Sequence, residues 1–237
     1  MPPCRADGNS AIEAHCNAPA TKWRVCRGSP DGKRSEWIND TITNKMTRKI
    51  LVHQCCAICS ASFFEIIPSG FDVTGFWFNP NIGPDAELAL RRESLIKFNE
   101  MKGVDTIAAP VDADSRNFAA ALAAPKPARC AVCYEKRISE VARTASEMNF
   151  DAFSTTLLAS PYQEHELAVS AAREAAKKFG AEFLYLDSRP AYYQGKNMAR
   201  QKGLYSQKYC GCPASAAERA AELAARAEAR LRPSTKK

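Results

Sequence analysis

From residue 49 onward, short apolar runs alternate with longer segments in which apolar residues recur at helical spacing. Ile50-Leu51-Val52-His53-Gln54 reads as a buried strand, and residues 57–67 as the helix that follows it. A second strand is predicted over 73–78, and the turn-rich Asn79-Pro80-Asn81-Ile82-Gly83-Pro84 then leads into a helix over 85–101, which starts favourably just after a proline. The same reading predicts strands at 106–111, 152–156 and 182–186, and helices at 115–123, 134–148 and 164–179. An Ala/Glu/Arg-rich helix, expected to be solvated, ends the pattern at Pro233. Strands separated by helices of this length require crossover connections, so the pattern predicts an α/β fold, a Rossmann-like parallel sheet with flanking helices.

Ligands of such sheets bind beyond the carboxyl ends of the strands, where Cys55 and Cys56 fall, and with this topology the three cysteine groups can converge on one mouth. Cys55, Cys56 and Cys59 follow the first strand, Cys130 and Cys133 follow the loop Pro125-Lys126-Pro127, and Cys210 and Cys212 precede the last helix. The expectation is therefore of cysteine-bearing loops gathered at one edge. Neighbouring Cα atoms lie about 3.8 Å apart, below the roughly 4.4 Å at which disulfides begin, so Cys55 and Cys56 are poorly placed to bond each other. Two thiolates there suit a metal. Spacing alone admits a structural zinc on Cys130/Cys133 with Cys210/Cys212, or an iron–sulfur cluster on four thiolates with three left for a second metal or for redox chemistry.

The compartment changes what ten cysteines mean. The N-terminal stretch, which carries Cys4, Cys16 and Cys26, is polar and lacks the apolar centre of a signal peptide, and no run reaches the roughly 18 apolar residues of a membrane span. A cytoplasmic, reducing location with no membrane association is expected, where clustered cysteines serve metals or catalysis. The length of 237 residues suits one main domain, read as residues 49–215, with an N-terminal extension over 1–48, expected to be flexible, and a C-terminal helix and tail over 216–237. Of the net charge of +7, residues 1–49 carry nine Lys/Arg against five Asp/Glu and residues 214–237 six against three, which leaves 50–213 balanced. Charge alone thus gives little support for a nucleic-acid partner.

Several motifs together resemble one family. Leu51-Val52-His53-Gln54-Cys55-Cys56-Ala57-Ile58-Cys59-Ser60, Phe78-Asn79-Pro80-Asn81-Ile82, Arg129-Cys130-Ala131-Val132-Cys133-Tyr134, Thr155-Thr156-Leu157-Leu158-Ala159-Ser160-Pro161-Tyr162-Gln163 and Gln207-Lys208-Tyr209-Cys210-Gly211-Cys212 resemble epoxyqueuosine reductase of the QueH type, in order from about Lys49 to Ser215. The family commonly has Pro where this chain has Ile58, and it usually begins near the first strand. The resemblance implies an oxidoreductase that reduces the epoxide of epoxyqueuosine in the wobble nucleotide of tRNA, with a 4Fe-4S cluster, a neighbouring iron or other metal ion, and an electron donor of unspecified identity. It implies that Cys55, Cys56, Cys130, Cys133, Cys210 and Cys212 serve the cofactor and that Cys59 joins them as a metal ligand. Within that set Cys56, Cys130, Cys133 and one of the terminal pair are assigned to the cluster, and Cys59 to the second metal.

Removing an epoxide oxygen takes two electrons and a proton donor, and Tyr162, Asp187 and, behind them, His165 are the candidate acids. Tyr162 and Gln163 also suit stacking on, and hydrogen bonding to, a flipped base. His53, inside an apolar strand, reads as a structural histidine. Asn79 and Asn81 shape a turn or meet the substrate, and Asp187 and Arg189 form an ion pair or meet ribose or phosphate. Two rival functions share the cysteines. A tRNA-thiolating adenylation enzyme needs a Gly-rich pyrophosphate loop after the first strand, where this chain has Cys55-Cys56-Ala57, and a zinc-stabilised RNA-binding module would be colourless.

Overall fold

The computed structural model describes residues 47–111 and 122–231. The N-terminal extension expected over 1–48, apart from its last two residues, and most of the helix expected over 115–123 lie outside the described residues.

Four parallel strands form the sheet: β1 (Arg48–His53), β2 (Phe71–Trp77), β3 (Thr106–Ala108) and β4 (Ala152–Thr155), in the order β3-β2-β1-β4. β1 is central, pairing Ile50 with Val73 on one side and with Ala152 on the other. Strand residues alternate between faces, so Leu51 joins the large core while Ile50 and Val52 join a smaller one with Phe63 and Ala152. Helices α1 (Ala57–Phe64), α2 (Asp85–Lys102), α3 (Ala128–Glu147), α4 (His165–Phe179), α5 (Tyr192–Gln201) and α6 (Pro213–Leu231) complete the fold. The expected α/β architecture is present, and no helix among the described residues is long and apolar enough to cross a membrane.

Four elements differ from expectation, each for a local reason. α3 starts at Ala128 rather than near 134, because cis-Pro127 occupies the N-cap position, where a missing N–H costs nothing. Cys130 and Cys133 therefore ride on the first turns of a helix and not in the loop before it. The strand expected over 182–186 is reduced to a bridge at Phe183, because β4 offers few partners before Thr155 Oγ1 caps the turn of 3-10 helix at Thr156–Ala159. β3 keeps three residues and ends before Pro110. α5 was not expected, since its buried positions Tyr192, Gly195 and Ala199 are too small or too polar to give a hydrophobic period.

Candidate metal and substrate site

β1 delivers Cys55 and Cys56 to the carboxyl edge of the sheet, and α1 starts at once. Cys56 is its N-cap, with Sγ accepting from Cys59 N at 3.4 Å. Cys212 does the same for α6, accepting from Ser215 N at 3.4 Å. The N-termini of α1, α3 and α6 all present cysteines, and a helix N-terminus favours negative sulfur. The three ligand sulfurs of Cys55, Cys56 and Cys59 lie within 4.8 Å of one another and are buried. Cys133 packs against Cys212 and Leu122. Gln163 accepts from Tyr134 Oη at 2.6 Å through Oε1, and its Nε2 donates to Cys210 Sγ at 3.4 Å. All seven described cysteines are free thiols, so no disulfide forms among the described residues.

Buried arginines surround the sulfurs. Arg137, 1% exposed, donates to Asn79 Oδ1 at 2.7 Å and approaches Cys133 Sγ at 3.7 Å. Arg91 donates to the carbonyls of Cys210 (2.8 Å) and Tyr209 (2.9 Å) and to Glu87 (2.7 Å), which clamps the last cysteine loop. Arg129 joins α3 to α6 through Glu218 at 2.5 Å. Burial opposes the charge on Arg137, yet the sulfurs of Cys133, Cys55 and Cys210 raise its pKa above the ordinary guanidinium value. No carboxylate pairs with it among the described residues, and a buried charge requires a counter-charge.

The first trio shares its protons unequally. Hydrogen bonds from Cys56 and Cys59, with the Arg137 charge assisting against burial, hold Cys55 well below the ordinary thiol range. The bond to Cys55 pushes Cys56 up to about 12, and bonds to both neighbours raise Cys59. Burial raises Cys130 and takes Cys133 to about 11. Several thiols thus resist ionising alone, and a bound metal would supply the positive charge that deprotonates them. Polar atoms await partners here too: Asn81 Oδ1 and Nδ2, Thr156 Oγ1 and Gln207 Oε1 are buried without a hydrogen bond among the described residues. Gln207 Nε2 reaches Cys56 Sγ at 2.8 Å. Among the described residues the buried trio Cys55, Cys56 and Cys59 is the group close enough to share a metal ion, and the guanidinium groups beside the thiols suit anionic sulfur.

The other sequence-predicted residues fall as follows. His53 is satisfied at both nitrogens, with Thr155 Oγ1 at 2.9 Å and Phe78 O at 3.3 Å, and burial lowers its pKa to about 3. Asn79 holds the turn by donating to Gln54 O at 2.9 Å. Tyr162 is 65% exposed and meets Tyr192 edge-on at 5.9 Å; Tyr192 is buried, and burial with the nearby Cys59 and Cys56 raises its pKa. Asp187 is bound at both oxygens by Arg189 (2.8 and 2.6 Å), which holds its carboxyl below the ordinary range. His165 Nε2 lies 3.1 Å from Tyr185 Oη, and its Nδ1 is buried without a hydrogen-bond partner among the described residues. Arg91, Arg137, Tyr192 and Gln207 were given no role from sequence. Arg137 has a signal there, four residues after Cys133 and so on the same helical face, and Gln207 opens the motif that ends in Cys210-Gly211-Cys212.

A family model described as epoxyqueuosine reductase QueH matches residues 50–218. The protein named epoxyqueuosine reductase QueH from Dehalococcoides mccartyi is 35% identical over 175 residues, 73% of this chain and 96% of that one. Proteins of the same name from Histophilus somni and Thermotoga maritima are 31% and 29% identical, over 69% and 72% of this chain and 70% and 91% of theirs. Among solved structures, a U34-tRNA thiolase NcsA from Methanococcus maripaludis with its 4Fe-4S cluster aligns at 14% identity and a TM-score of 0.44, over 81% of this chain and 70% of that one.

Proposed function

The chain belongs to the epoxyqueuosine reductase QueH family and is an oxidoreductase, and on that premise we propose that it converts epoxyqueuosine to queuosine in the wobble nucleotide of tRNA, using thiolate-bound iron at the carboxyl edge of the sheet. The observation that carries the metal reading is Arg137: a buried guanidinium whose described partners are a sulfur and an amide oxygen requires anionic sulfur beside it. The reaction takes up two electrons and two protons, breaks both epoxide C–O bonds, leaves a carbon–carbon double bond and releases water. A 4Fe-4S cluster would supply the electrons one at a time, for which protein side chains offer no convenient carrier, and a second metal would polarise the epoxide oxygen.

Gln163 ties Cys210 to Tyr134 on the helix that carries Cys130 and Cys133, and Arg137 lies against Cys133, so these three cysteines with one from the first trio, taken as Cys55, would hold the cluster. Cys56 and Cys59, within 4.8 Å of Cys55, would hold the second metal, and Cys212, beside Cys133, completes the thiolate set. The ion pair of Asp187 with Arg189 keeps that carboxylate ionised, the wrong state for an acid, and its role passes to ordering the loop. Tyr162, exposed at the mouth and joined to the trio through Tyr192, is the proton donor in this reading. Main-domain residues 49–215 would contain all of this machinery, with α6 tied in through Arg129 and Glu218. The test supplies anaerobic protein with tRNA carrying epoxyqueuosine and a chemical reductant, followed by mass spectrometry of the digested nucleosides. Queuosine is expected; intact epoxyqueuosine with iron-loaded protein would refute the reading.

A further inference from the structure

The whole chain gives little electrostatic sign of an RNA partner, but one face of it does. Between Asp187 and Glu218 the sequence has no carboxylate, while it carries Arg189, Lys196, Arg200, Lys202 and Lys208. Arg189 is neutralised by Asp187. The other four are exposed and make no ion pair among the described residues.

α5 fixes where this charge points. A Cβ at Gly195 would stand 2.4 Å from Ser62 Oγ and 2.6 Å from Ser62 N, so the backbone of α5 lies directly against α1. Tyr192, Gly195 and Ala199 occupy the buried side at helical spacing. Tyr193, Lys196 and Arg200 recur at the same spacing on the exposed side. α1 is the helix capped by Cys56, and the Gly195 Cβ would also stand 3.0 Å from the carbonyl of Ile58, the residue before Cys59, so α5 is seated beside the thiol trio. The acidic groups nearby are engaged: Glu65 accepts from Gln194 at 3.2 Å, and Glu164 pairs with Lys126 at 3.5 Å. Two exposed rings frame the rim, Tyr162 at 65% and Tyr193 at 63% exposure, each edge-on to the buried Tyr192.

We propose that the outer face of α5, Tyr193, Lys196 and Arg200, docks the phosphate backbone and an unpaired base of the tRNA anticodon loop, holding the wobble nucleotide over the thiol site. The inference rests on the substrate reading above. Cations without acidic neighbours follow a phosphate backbone, and exposed aromatic faces stack on unpaired bases. A protein electron donor with an acidic surface would use the charges but has no need of the flanking rings, which favours RNA.

The test measures affinity of the iron-loaded protein for the tRNA across 50–200 mM salt. Lys196→Gln with Arg200→Gln is expected to weaken binding about tenfold and to reduce the slope of log K against log salt by about 1.5, since each phosphate contact contributes roughly 0.7–0.9. Tyr193→Ala is expected to weaken binding with the slope unchanged. A control pair on α2 and α4, Lys97→Gln with Lys177→Gln, should leave both quantities as they are. If the wild type binds tRNA while the α5 variants keep its affinity and slope, the docking face is overturned and the substrate reading survives. If those variants keep RNA affinity but slow turnover by an acidic protein donor, the face serves that donor and the proposal is overturned. If the wild type itself fails to bind tRNA, the substrate reading beneath it fails.

Discussion

Replacing Arg137 with Met separates a charge that balances metal-bound thiolates from one that only fills space. Met matches most of the side-chain volume but removes a buried cation, its 2.7 Å bond to Asn79 Oδ1 and its 3.7 Å approach to Cys133 Sγ. In metal-free protein, where the thiols other than Cys55 can stay protonated, losing the buried charge removes a burial penalty of a few kcal/mol. Leaving Asn79 Oδ1 unpaired costs about 1–3 kcal/mol. The two nearly cancel, so the stripped variant should unfold at almost the same denaturant concentration as the stripped wild type. With metal bound the same change strips a counter-charge from anionic sulfur, and breaking a buried pair in this way costs about 3–5 kcal/mol. Anaerobic denaturant unfolding of loaded and chelator-stripped protein, wild type and Arg137→Met, gives the four values needed. Equal destabilisation in both states would refute the reasoning, because it would make the arginine indifferent to the charge on the sulfurs.

Other consequences follow from single contacts. Tyr162→Phe should lower single-turnover epoxide loss by about a hundredfold or more if the phenol delivers a proton, whereas Asp187→Asn should leave the rate within a few-fold; an unaffected Tyr162→Phe enzyme would remove Tyr162 from that role. Gly75→Ala would place a Cβ 2.2 Å from Gln54 Oε1 and break the buried exchange between Gln54 and Asn99, so a loss of about 1–3 kcal/mol is expected in thermal unfolding. Asp187 has a carboxyl pKa depressed from 3.8. Its ion pair therefore contributes fully above that value, and the contribution fades as pH falls through the lower folded-state pKa. The pair is partly exposed, so Asp187→Asn should cost less than about 1 kcal/mol at pH 7, with the gap to wild type closing in acid.

The sequence made the sheet and the gathering of cysteines legible because both depend on local signals. An apolar run such as Ile50-Leu51-Val52 can hardly sit anywhere but in a buried strand, and Cys55-Cys56 directly after it must lie at that strand's carboxyl end. The charge balance of the site was not legible, because Arg91, Arg129 and Arg137 sit on helices where arginine normally reads as a solvated face. Their burial depends on partners distant in sequence: the Tyr209 and Cys210 carbonyls for Arg91, Glu218 for Arg129 and Asn79 for Arg137. α5 escaped for the opposite reason: its buried face is Tyr192, Gly195 and Ala199, and the close approach that makes Gly195 necessary is a property of Ser62 on another helix. The segment 182–186 has the apolar alternation of a strand, but Ser154 Oγ takes Leu184 O and β4 then turns away, leaving little backbone to pair. Propensity cannot report the length of a partner.

The most direct measurement is metal, labile sulfide and colour on anaerobically purified protein, beside a variant in which Cys55, Cys130, Cys133 and Cys210 are all Ala. Wild-type protein should be brown, with iron and inorganic sulfide in near-equal amounts, and the variant should have lost the sulfide. Colourless wild-type protein carrying stoichiometric zinc and no sulfide would contradict it.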